Sequence, residues 1–96
     1  MLNITKKIDN KKMVIALAGK LDTTTAPELE QIVKTSLDGV TELTIDMKEL
    51  SYISSAGLRV LLMAVKKLGK VTVSNASEAV KEIFETTGFD QMMSVE

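Results

Sequence analysis

The alternation of apolar and polar residues at the start of the chain predicts two strands joined by a turn. Leu2 and Ile4 alternate with polar residues, and a short apolar run occupies positions 13–18. Both patterns are typical of β-strands. The segment between them, 9–12, is polar, and its Asn10 tolerates the left-handed backbone conformation used in tight turns. These residues therefore predict an antiparallel hairpin.

Three later segments carry apolar residues three or four positions apart, which is the spacing of one helix face. The predicted core stripes are Leu29, Ile32, Val33 and Leu37; then Leu58, Leu61, Leu62 and Val65; then Val80, Ile83, Phe84 and Thr87. Strands at 42–47 and 71–73 separate these helices, and 90–95 is a weak last strand or a tail. Residues 48–51 are predicted to be a short connection.

Capping residues define the predicted helix ends. Thr25 and Glu28 have the spacing of a capping box at the start of the first helix, and Ser77 is placed to cap the third. Glycine in the left-handed conformation commonly ends a helix. Glycines follow all three helical segments, at positions 39, 69 and 88.

The order of elements is β-β-α-β-α-β-α, with a possible final strand. Strands that alternate with helices favour parallel pairing through right-handed crossovers, whereas the opening hairpin adds an antiparallel pair. We therefore expect an α/β fold with a mixed sheet of four to five strands and helices packed mainly on one face. A chain of 96 residues with 45% hydrophobic content suits a single domain, 1–96.

Composition excludes several classes of function. The chain has neither cysteine nor histidine, so thiolate or imidazole metal sites and histidine-dependent triads cannot be built. The formal net charge of −1 and the 3% aromatic content argue against a nucleic-acid surface. No apolar stretch reaches the length of a membrane span, and the first residues lack a signal-peptide core. We expect a cytoplasmic domain with no catalytic site, metal or cofactor, and no direct contact with nucleic acid or membrane.

The junction between the third strand and the second helix carries two hydroxyls, on Ser54 and Ser55, followed by Ala56 and Gly57. A serine here can cap the helix, because its oxygen accepts from the free N–H groups of the first turn. Ligands also bind at the carboxyl ends of strands in open α/β sheets. A phosphate on either serine would add about −1.5 to −2 charges beside the positive end of the helix dipole. Spacing alone leaves capping and phosphorylation open.

Two aspartates and one helix flank are further candidates. Asp22 closes the second strand and approaches the two serines if the second and third strands are neighbours; a role in the turn is the simpler interpretation. Asp46 is a carboxylate at the end of the third strand and, being alone there, weak evidence for Mg²⁺. The second apolar flank of the middle helix is either core or a partner surface. It comprises Ala56, Val60, Met63 and Ala64.

Three segments resemble the STAS domain of bacterial anti-sigma factor antagonists: Gly19-Lys20-Leu21-Asp22, Leu43-Thr44-Ile45-Asp46, and 50–61. The most specific part is Ser-Ser-Ala-Gly-Leu-Arg at 54–59, and the similarity extends over nearly the whole chain. The resemblance implies a non-enzymatic protein that binds an anti-sigma factor with GHKL-type serine kinase activity and thereby frees the sigma factor. That kinase inactivates the antagonist by phosphorylating one serine, and a PP2C-type phosphatase restores it.

The resemblance also assigns residues. The phosphorylated serine of the family lies two positions before the motif glycine, which is Ser55 here, with Ser54 as the less favoured acceptor. Asp22 matches the family aspartate beside that site. The expected partner-binding residues are Asp22, Thr23, Thr24, Ser54, Ser55, Ala56, Gly57, Arg59, Val60 and Met63.

Two positions depart from the family pattern. Many members have aspartate where this chain has Ser54, and serine or threonine where it has Ala56. The first change removes a negative charge that influences kinase preference, and the second removes an alternative acceptor. The target hydroxyl of Ser55 is retained.

Two other functions stay open at this stage. A STAS domain can also serve another regulatory, transporter-associated or lipid-trafficking assembly, and only the partner distinguishes these. A phospho-aspartate receiver domain with Asp46 as acceptor would need an acidic cluster at the end of its first strand, where this chain offers only Asp9. We expect the free protein to be a monomer.

Overall fold

The computed structural model describes residues 2–96, which form a five-stranded sheet with three α-helices. The elements in chain order are β1 (Leu2–Asp9), β2 (Lys12–Leu21), α1 (Ala26–Thr35), β3 (Glu42–Ile53), α2 (Ser55–Leu68), β4 (Val71–Ser74), α3 (Glu78–Thr87), a 3₁₀ turn (Phe89–Gln91) and β5 (Ser94–Val95). This order is the predicted one, with the possible last strand present as two residues.

The strands lie in the order β1-β2-β3-β4-β5 across a mixed sheet. β1 runs antiparallel to β2, and the remaining neighbours are parallel. The first hairpin pairs Asp9 with Lys12, and Asn10 in its turn has φ 61°. Both the predicted hairpin and the left-handed asparagine are therefore confirmed. Parallel pairing of the later strands follows from the helices that connect them.

One face of the sheet is buried under the helices. Successive strand residues point to opposite faces, and over residues 13–17 of β2 and 43–47 of β3 every second residue belongs to the core. These core residues are Met13, Ile15, Leu17, Leu43, Ile45 and Met47. Intervening residues such as Val14 and Thr44 are exposed or only half-buried. The helices therefore cover a single face, as expected.

β3 is longer than the sequence predicts. It continues through the expected connection at 48–51 and ends at Ile53. Its pairing with β2 shifts register twice: Leu50 pairs with Gly19 after the first shift, and Ile53 pairs with Leu21 after the second. The irregular stretch breaks the two-residue alternation, because Leu50 and Ile53 are both buried with two exposed residues between them. A bulged strand of this kind does not produce a regular sequence pattern.

Helix ends were predicted with mixed success. Ser77 caps α3, since its Oγ accepts from Val80 N at 3.2 Å, and Gly69 and Gly88 adopt left-handed conformations at the ends of α2 and α3. The capping box at Thr25 does not form, because that hydroxyl is used elsewhere. Helix α1 also stops at Thr35, so Gly39 lies in the following loop rather than at the helix end.

The buried side of α2 is rotated by about one residue from the predicted stripe. Its buried residues are Gly57, Leu58, Val60, Leu61 and Ala64, whereas Leu62 and Val65 are partly exposed. The helix is apolar on both flanks, so periodicity alone could not fix which flank faces the sheet. Of the second flank, Val60 and Ala64 belong to the core, and Ala56 and Met63 lie half-buried at its margin. Within residues 2–96, no helix meets the length and hydrophobicity needed to cross a membrane.

Candidate functional site

The carboxyl ends of β2 and β3 lie side by side and position the two loops that carry the candidate residues. Leu21 pairs with Ile53, and the backbone N–H of Ser54 donates to the Leu21 carbonyl at 2.9 Å. Asp22 and Ser54, which immediately follow these paired residues, are therefore neighbours. The predicted approach of Asp22 to the serines is a consequence of this strand pairing.

Asp22 organises the loop between β2 and α1. Its Oδ1 accepts hydrogen bonds from Thr24 N at 3.0 Å, Thr24 Oγ1 at 2.7 Å and Thr25 N at 3.1 Å. These donors stabilise the carboxylate and lower the pKa of Asp22, with the Thr24 hydroxyl as the largest cause. The Thr25 hydroxyl also lies 3.2 Å from Oδ1. All four contacts are to Oδ1, so Oδ2 is left to accept from a partner. Asp22 thus has the predicted turn role and still presents charge beside the serines.

Thr25 stabilises the same loop through a buried hydroxyl, a role that its place in the sequence does not predict. Its side chain is buried, with 6% of the residue exposed. The hydroxyl donates to the Lys20 carbonyl at 2.8 Å and accepts from Asp22 N at 2.8 Å. Thr23 and Thr24 above it are exposed. The threonine run therefore contains one structural residue and two that are available at the surface.

Ser54 and Ser55 occupy different environments. Ser55 is the first residue of α2 and is exposed. Ser54 is the N-cap, with an extended backbone (φ −100°, ψ 176°), and its carbonyl accepts from Leu58 N at 3.0 Å. Its hydroxyl makes no capping hydrogen bond, and its Oγ is closed to solvent without a partner. Of the two roles that the spacing left open, capping by the hydroxyl is not the one that Ser54 has, although Ser54 is the N-cap residue. Of the two serines, the exposed one is Ser55.

Gly57 brings the start of α2 against the ends of β2 and β3. A Cβ at this position would lie 2.7 Å from Leu21 Cγ and 3.0 Å from Ile53 Cγ1. Real Cβ atoms essentially never come within 3.0 Å of such neighbours. The lack of a side chain at Gly57 therefore lets the start of α2, with its two serines, pack directly against the ends of β2 and β3. Glycine is needed here for this close contact and not for an unusual backbone conformation.

The remaining predicted partner residues divide between surface and core. Arg59 is exposed on α2, close enough to α1 that it helps to lower the pKa of Glu30, although the hydrogen bond from Lys34 is the larger cause. Ala56 and Met63 are half-buried. Gly57 and Val60 are buried, so they support the surface and do not offer side chains to a partner.

Tyr52 is a surface residue that the sequence-based site omitted. It is the penultimate residue of β3, just before the serines, and 47% of it is exposed. Exposed aromatic residues are frequent anchors in interfaces. The sequence pointed to this residue in one respect: it is the single tyrosine of the chain and lies within the motif segment 50–61.

Asp46 is not part of this site. It lies inside β3, opposite Ser74, rather than at the end of the strand. Its Oδ1 accepts from Lys48 N at 3.0 Å and from Asn75 Nδ2 at 3.1 Å. These bonds lower the pKa of Asp46, the Lys48 N–H most of all. In the described part of the chain no group of three acidic, histidine or cysteine residues is arranged to hold a metal ion.

Comparison with known proteins identifies the family. The STAS domain model matches residues 3–96. The chain belongs to the STAS domain family. This STAS domain is 35% identical over 88 residues to the Bordetella bronchiseptica protein BtrV, assigned to the anti-sigma factor antagonists, with 86% of this chain and 75% of the relative covered.

Solved structures share the fold of this STAS domain. An anti-sigma factor antagonist from Mycobacterium paratuberculosis superposes with a TM-score of 0.88 at 26% identity, covering 99% of this chain and 85% of the other. The Bacillus cell fate determinant SpoIIAA in its phosphorylated form gives a TM-score of 0.78 at 20% identity, covering 98% and 91%. The second likeness demonstrates the fold alone.

Proposed function

We propose that this STAS domain is an anti-sigma factor antagonist without enzymatic activity of its own. It binds an anti-sigma factor that is also a GHKL-type serine kinase, and it is switched off when that kinase phosphorylates Ser55. The observation that carries the proposal is the exposed hydroxyl of Ser55 at the first position of α2, directly beside the loop held by Asp22. The names of its relatives support the same role.

The switch would be a phosphoryl transfer in which the STAS domain supplies only the acceptor. The Ser55 oxygen forms a bond to the γ-phosphorus of ATP bound by the kinase, the bond from that phosphorus to ADP breaks, and the hydroxyl proton passes to a base on the kinase. Such transfers depend on positioning and charge stabilisation. The kinase provides both, which is consistent with the absence of histidine and cysteine from this chain.

The docking surface combines the two loops with the exposed side of α2. Asp22, Thr23 and Thr24 contribute one edge, and Ser54, Ser55 and Arg59 contribute the other. Ala56 and Met63 add half-buried apolar area between them. Gly57 and Val60 hold this surface in place from below.

Phosphate at Ser55 is compatible with the fold but weakens binding of the partner. The first turn of α2 contains no acidic residue, so an added dianion meets the positive end of the helix dipole without like-charge repulsion from the helix itself. The partner instead meets new charge and bulk at the centre of its contact. Release would therefore occur without unfolding, and a PP2C-type phosphatase would reverse it. The protein would act as a cytoplasmic monomer without direct contact with nucleic acid or membrane.

Substitutions at Ser55 test this function. Ser55→Ala should fold and bind the kinase but should not be released when ATP is supplied. Ser55→Asp should weaken kinase binding and keep the helical circular dichroism of the wild type. Full phosphorylation of Ser55→Ala at another residue, located by mass spectrometry, would refute the assignment of the acceptor.

A STAS domain in another regulatory, transporter-associated or lipid-trafficking assembly is the second candidate, supported by the family membership alone. Affinity capture with the wild-type chain distinguishes it, because a transporter or lipid-transfer subunit would be recovered in place of a GHKL-type kinase. A receiver-type mechanism at Asp46 is disfavoured, because that carboxylate lies within a strand and its Oδ1 already accepts two hydrogen bonds.

A further inference from the structure

We propose that Ser54 is a positioning residue for the phosphorylated state: its hydroxyl donates a hydrogen bond to the phosphate on Ser55 and does not itself accept phosphate. This inference rests on the proposed function, because it concerns the state produced by phosphorylation of Ser55.

The first observation is the unpaired hydroxyl. The Oγ of Ser54 is buried and lacks a hydrogen-bond partner, and it is the one buried side-chain nitrogen or oxygen in residues 2–96 in that condition. Buried hydroxyls are paired in the great majority of cases, so an exception calls for an explanation. Because this oxygen is closed to solvent in its present rotamer, the exposed Ser55 is the better acceptor, and a hydrogen bond to a phosphate on Ser55 requires the Ser54 hydroxyl to turn towards it. Ser54 is therefore a poor acceptor with a spare hydrogen-bond donor.

A second serine in the same chain shows what is unusual here. Ser77 is the N-cap of α3 with a similarly extended backbone, and its Oγ accepts from Val80 N at 3.2 Å. Ser54 occupies the equivalent position at α2 and makes no such bond. The difference is thus in the use of the hydroxyl and not in the residue type or the position.

The consequence is that α2 itself supplies no acceptor and no negative charge at its start, where the one neighbouring carboxylate named above, that of Asp22, belongs to the adjacent loop. No side chain in the described residues caps its first turn, and that turn contains no acidic residue. Helices α1 and α3 each carry a glutamate there, Glu28 and Glu78. Free N–H groups at a helix start bind anions well. A phosphate on Ser55 would supply the missing acceptor for these groups and for the Ser54 hydroxyl together.

The chemistry also distinguishes serine from aspartate at position 54. A hydroxyl can donate to a phosphate oxygen, whereas an ionised carboxylate can only accept and would repel the dianion. With serine in this place, the modified chain gains a hydrogen bond where aspartate would add like-charge repulsion. We therefore expect phosphorylation of Ser55 to stabilise this protein, and we expect Ser54 to contribute to that gain.

The experiment uses the 96-residue chain with phosphoserine incorporated at position 55 during synthesis, so no kinase is required. Wild type, Ser54→Ala and Ser54→Thr are each prepared with serine and with phosphoserine at that position. Phosphorylation should raise the Tm of the wild type by about 2–8 °C, the range expected for a charge at a helix terminus in a domain of this size. Ser54→Ala should lose at least half of that gain, and Ser54→Thr, which keeps a hydroxyl, should retain most of it.

A titration followed by ³¹P NMR decides the role of the hydroxyl directly. A donor to the dianion lowers the second pKa of the phosphate below its ordinary value of about 6. The pKa should be lower in the wild type and in Ser54→Thr than in Ser54→Ala. Ser77→Ala serves as the matched control, because it removes a capping serine elsewhere and should leave the phosphate pKa unchanged. An identical phosphate pKa in wild type and Ser54→Ala would overturn the proposal.

Failure here is distinguishable from failure of the proposed function. Because the phosphoserine is built in, these measurements report on Ser54 whether or not a cellular kinase modifies Ser55. A kinase that phosphorylates another residue would refute the proposed function and leave the Ser54 measurement intact.

Discussion

Gly57 and Leu21 are packed so closely that a single added carbon would not fit between them. A Cβ on Gly57 would lie 2.7 Å from Leu21 Cγ and 2.9 Å from Leu21 Cδ2, and Leu21 is completely buried at the end of β2. The contact joins the helix that carries Ser55 to the strand that leads into Asp22. It therefore fixes the geometry between the two halves of the candidate site.

Gly57→Ala should destabilise the protein by about 1–3 kcal/mol, the usual cost of overpacking a core. Alanine favours helices over glycine by up to about 1 kcal/mol, which offsets part of this cost. Denaturant titration measures the difference. In the background Leu21→Ala the substitution should cost clearly less, because the two closest obstructing atoms are gone. Equal costs in both backgrounds would show that the contact with Leu21 is not responsible.

Thr25→Val should lower the free energy of unfolding by about 1–3 kcal/mol, because it leaves the Lys20 carbonyl and the Asp22 N–H without their buried partner. Thr25→Ser keeps the hydroxyl and should cost less. Thr23→Val is the matched control, because Thr23 is exposed and its side chain takes no part in the hydrogen bonds to Asp22. Chemical denaturation of the three variants checks the prediction, which fails if Thr25→Val is as stable as the wild type.

Asp22→Asn should reduce stability in a pH-dependent way. The folded-state pKa of Asp22 lies below the ordinary value of about 3.9, since Thr24 and Thr25 donate to the carboxylate. A lowered folded pKa contributes stability above the unfolded pKa and loses it as pH falls through the folded pKa. The stability difference between wild type and Asp22→Asn should thus be constant above about pH 5 and shrink on further acidification.

The other carboxylates, such as Glu42 and Asp46, make the free energy of unfolding depend on pH in both proteins. Their contribution therefore cancels when the free energy of one protein is subtracted from that of the other. Unfolding curves collected from neutral pH down to the acid limit provide the test. A stability difference that persists unchanged at the lowest pH would mean that the charge of Asp22 does not hold the loop.

Much of the fold followed from the sequence because its signals are local. The hairpin at Asn10, the cap at Ser77 and the glycine after α2 each depend on residues close in the chain, and each is confirmed. The continuation of β3 to Ile53 depends on pairing with β2, which lies far away in sequence. The side of α2 that faces the core was predicted incorrectly. Both flanks of this helix are apolar, so only its packing against distant parts of the chain decides which flank is buried.

In the candidate site too, some features follow from local sequence and others depend on contacts between distant residues. The motif identifies Ser55 and Gly57, but the packing reason for the glycine requires knowledge that Leu21 lies beneath it. The buried hydroxyl of Thr25 is indistinguishable in sequence from its exposed neighbours in a run of threonines. The unpaired hydroxyl of Ser54 is likewise a property of three-dimensional arrangement, since Ser77 has the same residue type at an equivalent helix position.

The central claim is that Ser55 is the acceptor through which a kinase partner releases this protein. The most direct measurement combines the GHKL-type kinase captured by the wild-type chain with purified protein that carries serine or phosphoserine at position 55, and determines both affinities by calorimetry. The unmodified protein should bind, should acquire one phosphate on Ser55 when ATP is added, and should bind at least about tenfold, or 1.4 kcal/mol, more tightly than the phosphoserine form. Equal affinities for the two forms would contradict the account.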